Sequence, residues 1–148
     1  MSAKALVIHD GKILVIRKRD ENGDYFLLPG GGQEHGEPLT EVVRREVLEE
    51  TGLRVEAEDL AFVRDYIGAN HEFAATSSHF HQVELYFWAR LADGSPSRDV
   101  VPAHPDVGQT GVDWIPLEAV ETLRVYPLSL RAEIARQSFE KIYRGDVN

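Results

Sequence analysis

Apolar residues divide this chain into short β-prone segments around one long helical segment. Two apolar or alternating runs, 4–9 and 12–19, flank Asp10-Gly11, a dipeptide that favours a tight hairpin turn. They predict a pair of antiparallel strands at the start of the chain. Further strands are predicted at 25–28, 53–66, 79–91 and 112–115.

Helical patterns occur in three places. The longest follows Glu37-Pro38, an acidic entry with proline near the first turn, and it ends at Thr51-Gly52, since glycine commonly follows the last helical turn. A short helix is predicted at 116–123 and an amphipathic one at 127–143.

Two stretches without a clear period, 67–78 and 92–111, are predicted to be loops, and the second could form a lid. Strand pairs with interspersed helices predict an α/β fold in which a mixed sheet is covered on both faces.

Composition narrows the class of protein. With 148 residues, of which 43% are hydrophobic, the chain is predicted to be a single domain, 1–148, with a sizeable core. A net charge of −9 disfavours long nucleic acids, so a phosphate substrate would arrive with a metal ion. There is no cysteine, which excludes disulfide and thiolate chemistry. The N-terminal apolar run, 5–8, is too short for a signal peptide or membrane span, so we expect a soluble cytoplasmic protein without membrane contact.

Three carboxylates fall on one side of the long helix. Glu46, Glu49 and Glu50 are three and four positions apart, where like charges repel unless water or a cation surrounds them. Such a run is most often a solvated helix face. Here Val42 and Val43 lie on the same arc one turn earlier, which a purely solvated face would not carry. The pattern therefore favours a cation site at the edge of a packed region.

A glycine run directly precedes this helix. Gly30, Gly31 and Gly32 lack Cβ atoms, so their main chain can approach a ligand closely and present carbonyls or amides to a metal or a phosphate. A glycine run alone is weak evidence, but its position before the acidic helix strengthens the prediction of a site here.

The segment 31–53 resembles the Nudix box without a departure. The match rests on the spacing of Gly31, Glu37, Arg45, Glu46, Val47, Glu49, Glu50, Gly52 and Leu53. The resemblance covers only these 23 of the 148 residues. It implies the Nudix fold, an α/β/α sandwich with a mixed sheet, and a hydrolase that cleaves a nucleoside diphosphate linked to another moiety.

The resemblance also implies roles for single residues. Glu49 and Glu50 would carry the metal, Glu46 would bind metal or assist the base, and the Gly30 carbonyl would be a further ligand. Arg45 would orient the acids, although it could equally form surface ion pairs with Glu41 and Glu49. Hard oxygen ligands suit Mg²⁺, with Mn²⁺ as the second choice. Such an ion would neutralise a diphosphate and activate water for attack on phosphorus.

A further acid from outside the box is expected. Asp106 is the first candidate, because 106–114 resembles, with a one-residue offset, a late loop in the branch of the family that sanitises oxidised nucleotides. Glu84 is the rival candidate. Asp106 could also be an ordinary loop acid.

Substrate contacts are predicted at four positions outside the acids. Arg17 and Arg19 form a basic strand end that could meet a phosphate or only keep the strand soluble. The main chain of Gly31 could contact the phosphate. Phe80, with Tyr66 and Phe73, could stack a nucleobase or belong to the core.

The identity of the substrate stays open among nucleoside triphosphates, nucleotide sugars and related compounds. Residues 68–70 lack the proline typical of the ADP-ribose branch and the tyrosine typical of the dinucleoside-polyphosphate branch. A homodimer is compatible with the sequence. Two other interpretations of the sequence predict no hydrolysis of nucleotides. One is a catalytically silent Nudix-fold sensor that binds a nucleotide, and the other is an acidic interaction domain.

Overall fold

Strands dominate the fold, and the first four are joined by connections of two residues each. The computed structural model describes residues 1–92, 102 and 104–148. The strands are β1 (Ser2–His9), β2 (Lys12–Asp20), β3 (Gly23–Leu27), β4 (Gly30–Gly32), β5 (Val55–Ile67), β6 (His81–Leu91), β7 (Gln109–Pro116), β8 (Val125–Tyr126) and β9 (Tyr143–Asp146). The α-helices are α1 (Leu39–Thr51), α2 (Ala74–Ser77) and α3 (Arg131–Ala135), and short 3₁₀ helices occupy Gly68–Asn70, Leu117–Thr122 and Leu128–Leu130.

The predicted N-terminal hairpin is confirmed. β1 and β2 pair antiparallel, with His9 opposite Lys12. The two residues between them, Asp10 and Gly11, have φ angles of 49° and 72°. Positive φ at both positions matches a turn whose twist suits antiparallel strands, and this explains why Asp-Gly stands there.

The strands form one mixed sheet. Its order is β8-β3-β2-β1-β6-β5-β9, with β4 added to β1 and β7 added to β2. β1 is antiparallel to β2 and β4 but parallel to β6, so the predicted mixed α/β sheet is confirmed. The parallel pair also places Lys4 opposite Tyr86, a pairing that brings distant parts of the chain together.

Alternation along β1 sends side chains into two hydrophobic clusters. Ala3, Ala5 and Val7 pack in the same cluster as Val42, Val43 and Val47 of α1. Leu6 belongs to the other cluster, with Phe62, Leu130 and Ile134. Each fully buried aliphatic side chain contributes about 1.5–3 kcal/mol, and the two clusters fix helices on both faces of the sheet.

The predicted helix at 127–143 is wrong. Only Arg131–Ala135 is α-helical, and the chain then turns at Gln137, whose φ is 55°. The Glu133 carboxylate accepts the Glu140 N–H and pairs with Arg144, which folds the segment back. β9 then pairs parallel to β5, and this sheet pairing outweighs the amphipathic pattern.

Several smaller differences concern element boundaries. The helix predicted at 116–123 is the 3₁₀ helix Leu117–Thr122, and the loop predicted at 67–78 contains Gly68–Asn70 and α2. β4 and β8 were not predicted, because a three-residue and a two-residue strand carry no readable period. Residues 93–101 and 103 of the predicted loop 92–111, and therefore most of the predicted lid, lie outside the described residues. Within the described part of the chain, every helix falls short of the length and hydrophobicity that a membrane span requires.

Candidate active site

The last turn of α1 fixes the position of the acids. Gly52 follows the helix with φ 76° and donates its N–H to the Leu48 carbonyl, as expected for a glycine at this end. The buried Thr51 hydroxyl donates to the Val47 carbonyl at 2.6 Å. The predicted helix is thereby confirmed, and Val47 near its end packs in one cluster with residues of β1.

The three acids differ in their exposure to solvent. The side chains of Glu49 and Glu46 are 33% and 16% exposed, and residue Glu50 is only 5% exposed. Exposure to solvent therefore falls from Glu49 through Glu46 to Glu50. The acids lie at the edge of the hydrophobic cluster that contains Val42 and Val43.

Glu50 is the most strongly perturbed of the three. Burial raises the pKa of its carboxyl to about 8, and the negative charges of Asp106 and Glu46 add to the effect. Lys4 and the Gly30 N–H, which donates to Glu50 Oε1 at 3.3 Å, act in the opposite direction. A nearby cation would favour the charged form of this acid.

Two of the three glycines are required by close contacts. A Cβ on Gly30, whose φ is 148°, would lie 2.2 Å from the Ala3 carbonyl oxygen. A Cβ on Gly31 would lie 2.5 Å from Cδ of Glu46. A Cβ on Gly32 would meet nothing within 4 Å. The run therefore lets β4 approach β1 on one side and the acids on the other.

Arg45 connects the acids to the glycine strand. Its guanidinium binds both oxygens of Glu37, at 2.8 and 3.0 Å, and donates to the Gly32 carbonyl at 3.0 Å. It also reaches Glu46 at 2.9 Å and Glu49 at 3.5 Å.

The predicted pair of Arg45 with Glu49 is present, but the predicted pair with Glu41 is not. Glu41 binds Arg44 at 3.1 Å. The Arg45 guanidinium instead turns toward the acids, and it holds the pKa of Glu37 below its usual value.

The donor set suits a divalent cation, although the acids are not arranged as a closed cage. Among the described residues, no group of three His, Cys, Asp or Glu side chains converges in a metal-binding arrangement. The Arg45 guanidinium binds Glu46 and Glu49, whereas the Gly30 N–H binds Glu50, so the three carboxylates have different partners. These carboxylates belong to adjacent turns of one helix beside a main-chain carbonyl, and their hard oxygens match Mg²⁺ or Mn²⁺.

Asp106 is connected to Glu50 through the side chain of Gln109. Its carboxylate binds Lys18 at 2.7 Å, and its N–H donates to the Gln109 side chain at 2.8 Å. The Gln109 amide in turn donates to the Glu50 carbonyl at 2.9 Å. Asp106 is therefore close enough to perturb Glu50, although Lys18 is its present partner.

A cavity of about 330 Å³ is connected to the acids through Lys4, which lines it and is in register with Gly30, whereas the helix acids themselves do not line it. Three cationic side chains line it, from Lys4, Lys18 and Arg64. Its aromatic lining consists of Tyr25, Tyr66, Phe73, Phe80, Tyr86 and Tyr126. The three aromatic residues considered from sequence for stacking a base, Tyr66, Phe73 and Phe80, thus all reach one cavity, and Phe80 is 44% exposed.

Glu84 lies in the floor of this cavity and is fully engaged. Arg64 binds Glu84 Oε2 at 2.8 Å, the Tyr86 hydroxyl donates to the same oxygen at 2.7 Å, and Gln82 donates to Oε1 at 2.8 Å. Burial alone would raise the pKa of Glu84, but Lys4, Arg64 and Tyr86 outweigh it and hold the pKa at about 2. Glu84 and its rival Asp106 therefore each have a cationic partner, Arg64 and Lys18.

Two predicted phosphate contacts lie away from the cavity lining. Arg17 binds Asp113 at 3.0 Å and Arg19 binds Asp24 at 3.2 Å. Lys18, between them, does line the cavity, close to the point where the β2–β7 register shifts. The predicted roles of Arg17 and Arg19 gain no support from this arrangement.

Sequence reasoning missed several lining residues. Gln82 and Tyr86 could have been found, because they share the strand face of Glu84. Lys4 and Arg64 could not, because nothing in the sequence shows that their strands flank β6.

Comparisons with known proteins agree with this geometry. The sequence model of the NUDIX domain matches residues 1–137. A Xenopus laevis protein, nucleoside diphosphate-linked moiety X motif 6, is 35% identical over 82 residues, which are 55% of this chain. The match covers 35% of that protein, so this chain spans about a third of the length of the curated relative.

Solved structures resemble the whole fold. A NUDIX hydrolase from Nitrosomonas europaea matches with a TM-score of 0.69 at 20% identity, covering 92% of this chain and 87% of that one. A MutT NUDIX hydrolase from Burkholderia pseudomallei matches with a TM-score of 0.61 at 28% identity, covering 89% and 94%.

Proposed function

Because this chain belongs to the NUDIX family, we propose that it is a Mg²⁺-dependent pyrophosphohydrolase that cleaves a nucleoside diphosphate linked to another moiety. One observation carries the proposal: the buried acid Glu50 lies near the end of the acidic helix and accepts the N–H of Gly30, whose strand partner Lys4 lines a cavity with aromatic and cationic walls. Such a substrate needs two parts in its site: acids that bind a cation, and a cavity that binds the ring of the nucleobase.

The acids would hold the cation. Glu46, Glu49 and Glu50 supply carboxylates, Gly30 supplies a carbonyl, and Mn²⁺ could replace Mg²⁺. When bound, the cation neutralises the diphosphate and activates water against phosphorus. Arg45 keeps Glu46 and Glu49 in place through its contacts with both carboxylates.

Two residues outside the acidic helix, Asp106 and Gly31, complete the proposed centre. Asp106 is the proposed further acid, and its influence on the pKa of Glu50 supports that role. The Gly31 main chain lies beside Glu46, where a diphosphate would approach.

The cavity supports a substrate with one nucleoside. Its volume of about 330 Å³ is at the lower end of the range for ligand cavities, about 300–1,000 Å³. Aromatic rings such as Phe80 and Phe73 would stack the base. A nucleoside triphosphate or a nucleotide sugar fits this size better than a dinucleoside polyphosphate does.

The proposal also covers the location of the enzyme in the cell, its partners and its domain organisation. A cytoplasmic enzyme acting on small nucleotides, without long nucleic acid as a partner, is consistent with the net charge of −9. The span 1–148 is proposed as one catalytic domain, and a homodimer stays a prediction.

The test is a panel of nucleoside triphosphates, nucleotide sugars, ADP-ribose and dinucleoside polyphosphates, each with Mg²⁺ and with EDTA. We expect divalent-dependent release of phosphate or nucleotide, and Glu50→Gln should lower it by about a thousandfold or more. Glu41→Gln, on the same helix but paired with Arg44, is the matched control and should stay within about twofold of the wild type.

Two results would count against the proposal. Equal turnover by Glu50→Gln would remove this acid from the mechanism. Binding without turnover across the panel would favour the alternative, a catalytically silent nucleotide sensor.

A further inference from the structure

The three cations of the cavity differ in their pairing. Lys18 lies 2.7 Å from Asp106, and Arg64 lies 2.8 Å from Glu84. No described carboxylate oxygen lies within the 4.0 Å ion-pair distance of the Lys4 ammonium. Lys4 is therefore the lining cation that lacks a direct carboxylate partner among the described residues.

The strand pairing puts Lys4 between Gly30, which contacts the acidic helix, and Tyr86, which lines the cavity. On one side it is in register with Gly30 of β4, whose N–H binds the acid Glu50. On the other side it is in register with Tyr86 of β6, whose hydroxyl binds Glu84. The Lys4 side chain lines the cavity at this junction and is only partly exposed.

The electrostatics agree with this location. The Lys4 charge lowers the pKa of both Glu50 and Glu84, so the ammonium is within reach of both acids without pairing directly with either. The ammonium is partly exposed and has no carboxylate in direct contact among the described residues, so it is available to an anionic ligand. An anionic ligand at this point would supply the missing partner.

We propose that Lys4 binds the diphosphate of the substrate where the cavity meets the acidic helix, and that it thereby sets the register of the substrate between base and metal. The inference rests on the proposed function, because it presupposes a substrate with a ring at the aromatic wall and phosphates at the acids. Lys4 would be a substrate-binding residue that favours ligands with at least two phosphates over nucleosides.

The experiment measures binding without turnover. Isothermal titration calorimetry in EDTA would compare adenosine, guanosine, cytidine and uridine with the α,β-methylene analogues of their diphosphates, which are not hydrolysed. Lys4→Met keeps the aliphatic stem and removes the charge. We expect it to weaken the best-bound diphosphate analogue by about tenfold to a hundredfold, the range of a charge-assisted hydrogen bond, and to change nucleoside binding by less than about twofold.

Two further variants separate charge from folding. Lys4→Arg should restore most of the diphosphate affinity, because it keeps the positive charge. Lys12→Met, an exposed residue at the start of β2, should leave both affinities unchanged. Thermal unfolding of each variant shows whether the fold persists.

Three results would overturn the inference: equal losses for nucleosides and diphosphates, no loss for diphosphates, or no diphosphate binding by the wild type. Its failure is distinguishable from failure of the proposed function. If the wild type binds the analogues through Lys4 but hydrolyses no compound of the panel, only the proposed pyrophosphohydrolase activity is refuted. A wild type that hydrolyses nucleotides while Lys4→Met keeps its KM would refute only the role of Lys4.

Discussion

Arg45 and Glu37 form a two-pronged ion pair, with Nε to Oε2 at 2.8 Å and Nη2 to Oε1 at 3.0 Å. The pair joins the segment before α1 to the middle of the helix. It leaves the remaining guanidinium nitrogen, Nη1, free to contact Glu46 and Glu49. The geometry makes Arg45 a positioning residue for the acids.

Arg45→Lys should therefore impair turnover. A lysine cannot bind Glu37 with two parallel bonds and also reach Glu46, so the acids lose their alignment. We expect kcat to fall by about a hundredfold, measured by steady-state kinetics on the best substrate of the panel. Arg44→Lys, on the neighbouring position but paired with Glu41 and Glu56, is the control. Equal effects of the two substitutions would contradict a specific role for Arg45.

Gly31→Ala should lower the activity, whereas Gly32→Ala should not. The new Cβ at 31 would lie 2.5 Å from the Glu46 carboxyl carbon, whereas nothing lies within 4 Å at 32. The Glu46 side chain can swing away, so we expect a fall in activity of about tenfold or more with a stability change below about 1 kcal/mol. Activity and chemical denaturation should be measured on both variants. Full activity of Gly31→Ala would show that Glu46 need not occupy its present position.

Phe80→Ala should weaken substrate binding. Phe80 lines the cavity and is 44% exposed, so a stacked base would cover it. Stacking on an aromatic ring contributes about 1–3 kcal/mol per base, which predicts an increase in KM of about 5-fold to 150-fold with little change in kcat. Val83→Ala, an exposed apolar residue of β6 that does not line the cavity, is the control. An unchanged KM would exclude Phe80 from the base site.

Glu84→Gln should destabilise the fold. It leaves the Arg64 guanidinium buried without its carboxylate, which costs about 3–5 kcal/mol of unfolding free energy. Glu58→Gln, in an exposed pair with Arg90, should cost at most about 0.5 kcal/mol. Urea denaturation at neutral pH measures both effects. A loss below about 1 kcal/mol in Glu84→Gln would contradict this account of the pair.

Glu84→Gln should also weaken the dependence of the free energy of unfolding on pH in the acidic range. The pKa of Glu84 is about 2 in the folded protein against a usual value of 4.5. Its carboxylate therefore stabilises the fold above pH 4.5, and that contribution is lost as the pH falls toward 2. Urea titrations from pH 2 to pH 5 should show a steeper slope in the wild type than in Glu84→Gln. Parallel slopes would show that other acids dominate this range.

Much of the fold follows from local patterns. The hairpin at Asp10-Gly11, the helix α1 and the long strands β5 and β6 were predictable, because each is encoded by contiguous residues with a clear period. The C-terminal segment was not. Its apolar spacing favoured a helix, but the contacts of Glu133 with Glu140 and Arg144 and the pairing of β9 with β5 decided its structure.

The amino-acid sequence by itself determined the acidic half of the site. Glu46, Glu49 and Glu50 occupy adjacent turns of one helix, and the glycines before it are needed for a close approach, so spacing and side-chain chemistry suffice. Only the tertiary structure decided the cavity. Lys4, Arg64 and Glu84 meet because β6 lies between β1 and β5, and strand partners are chosen by long-range packing that no local period reveals.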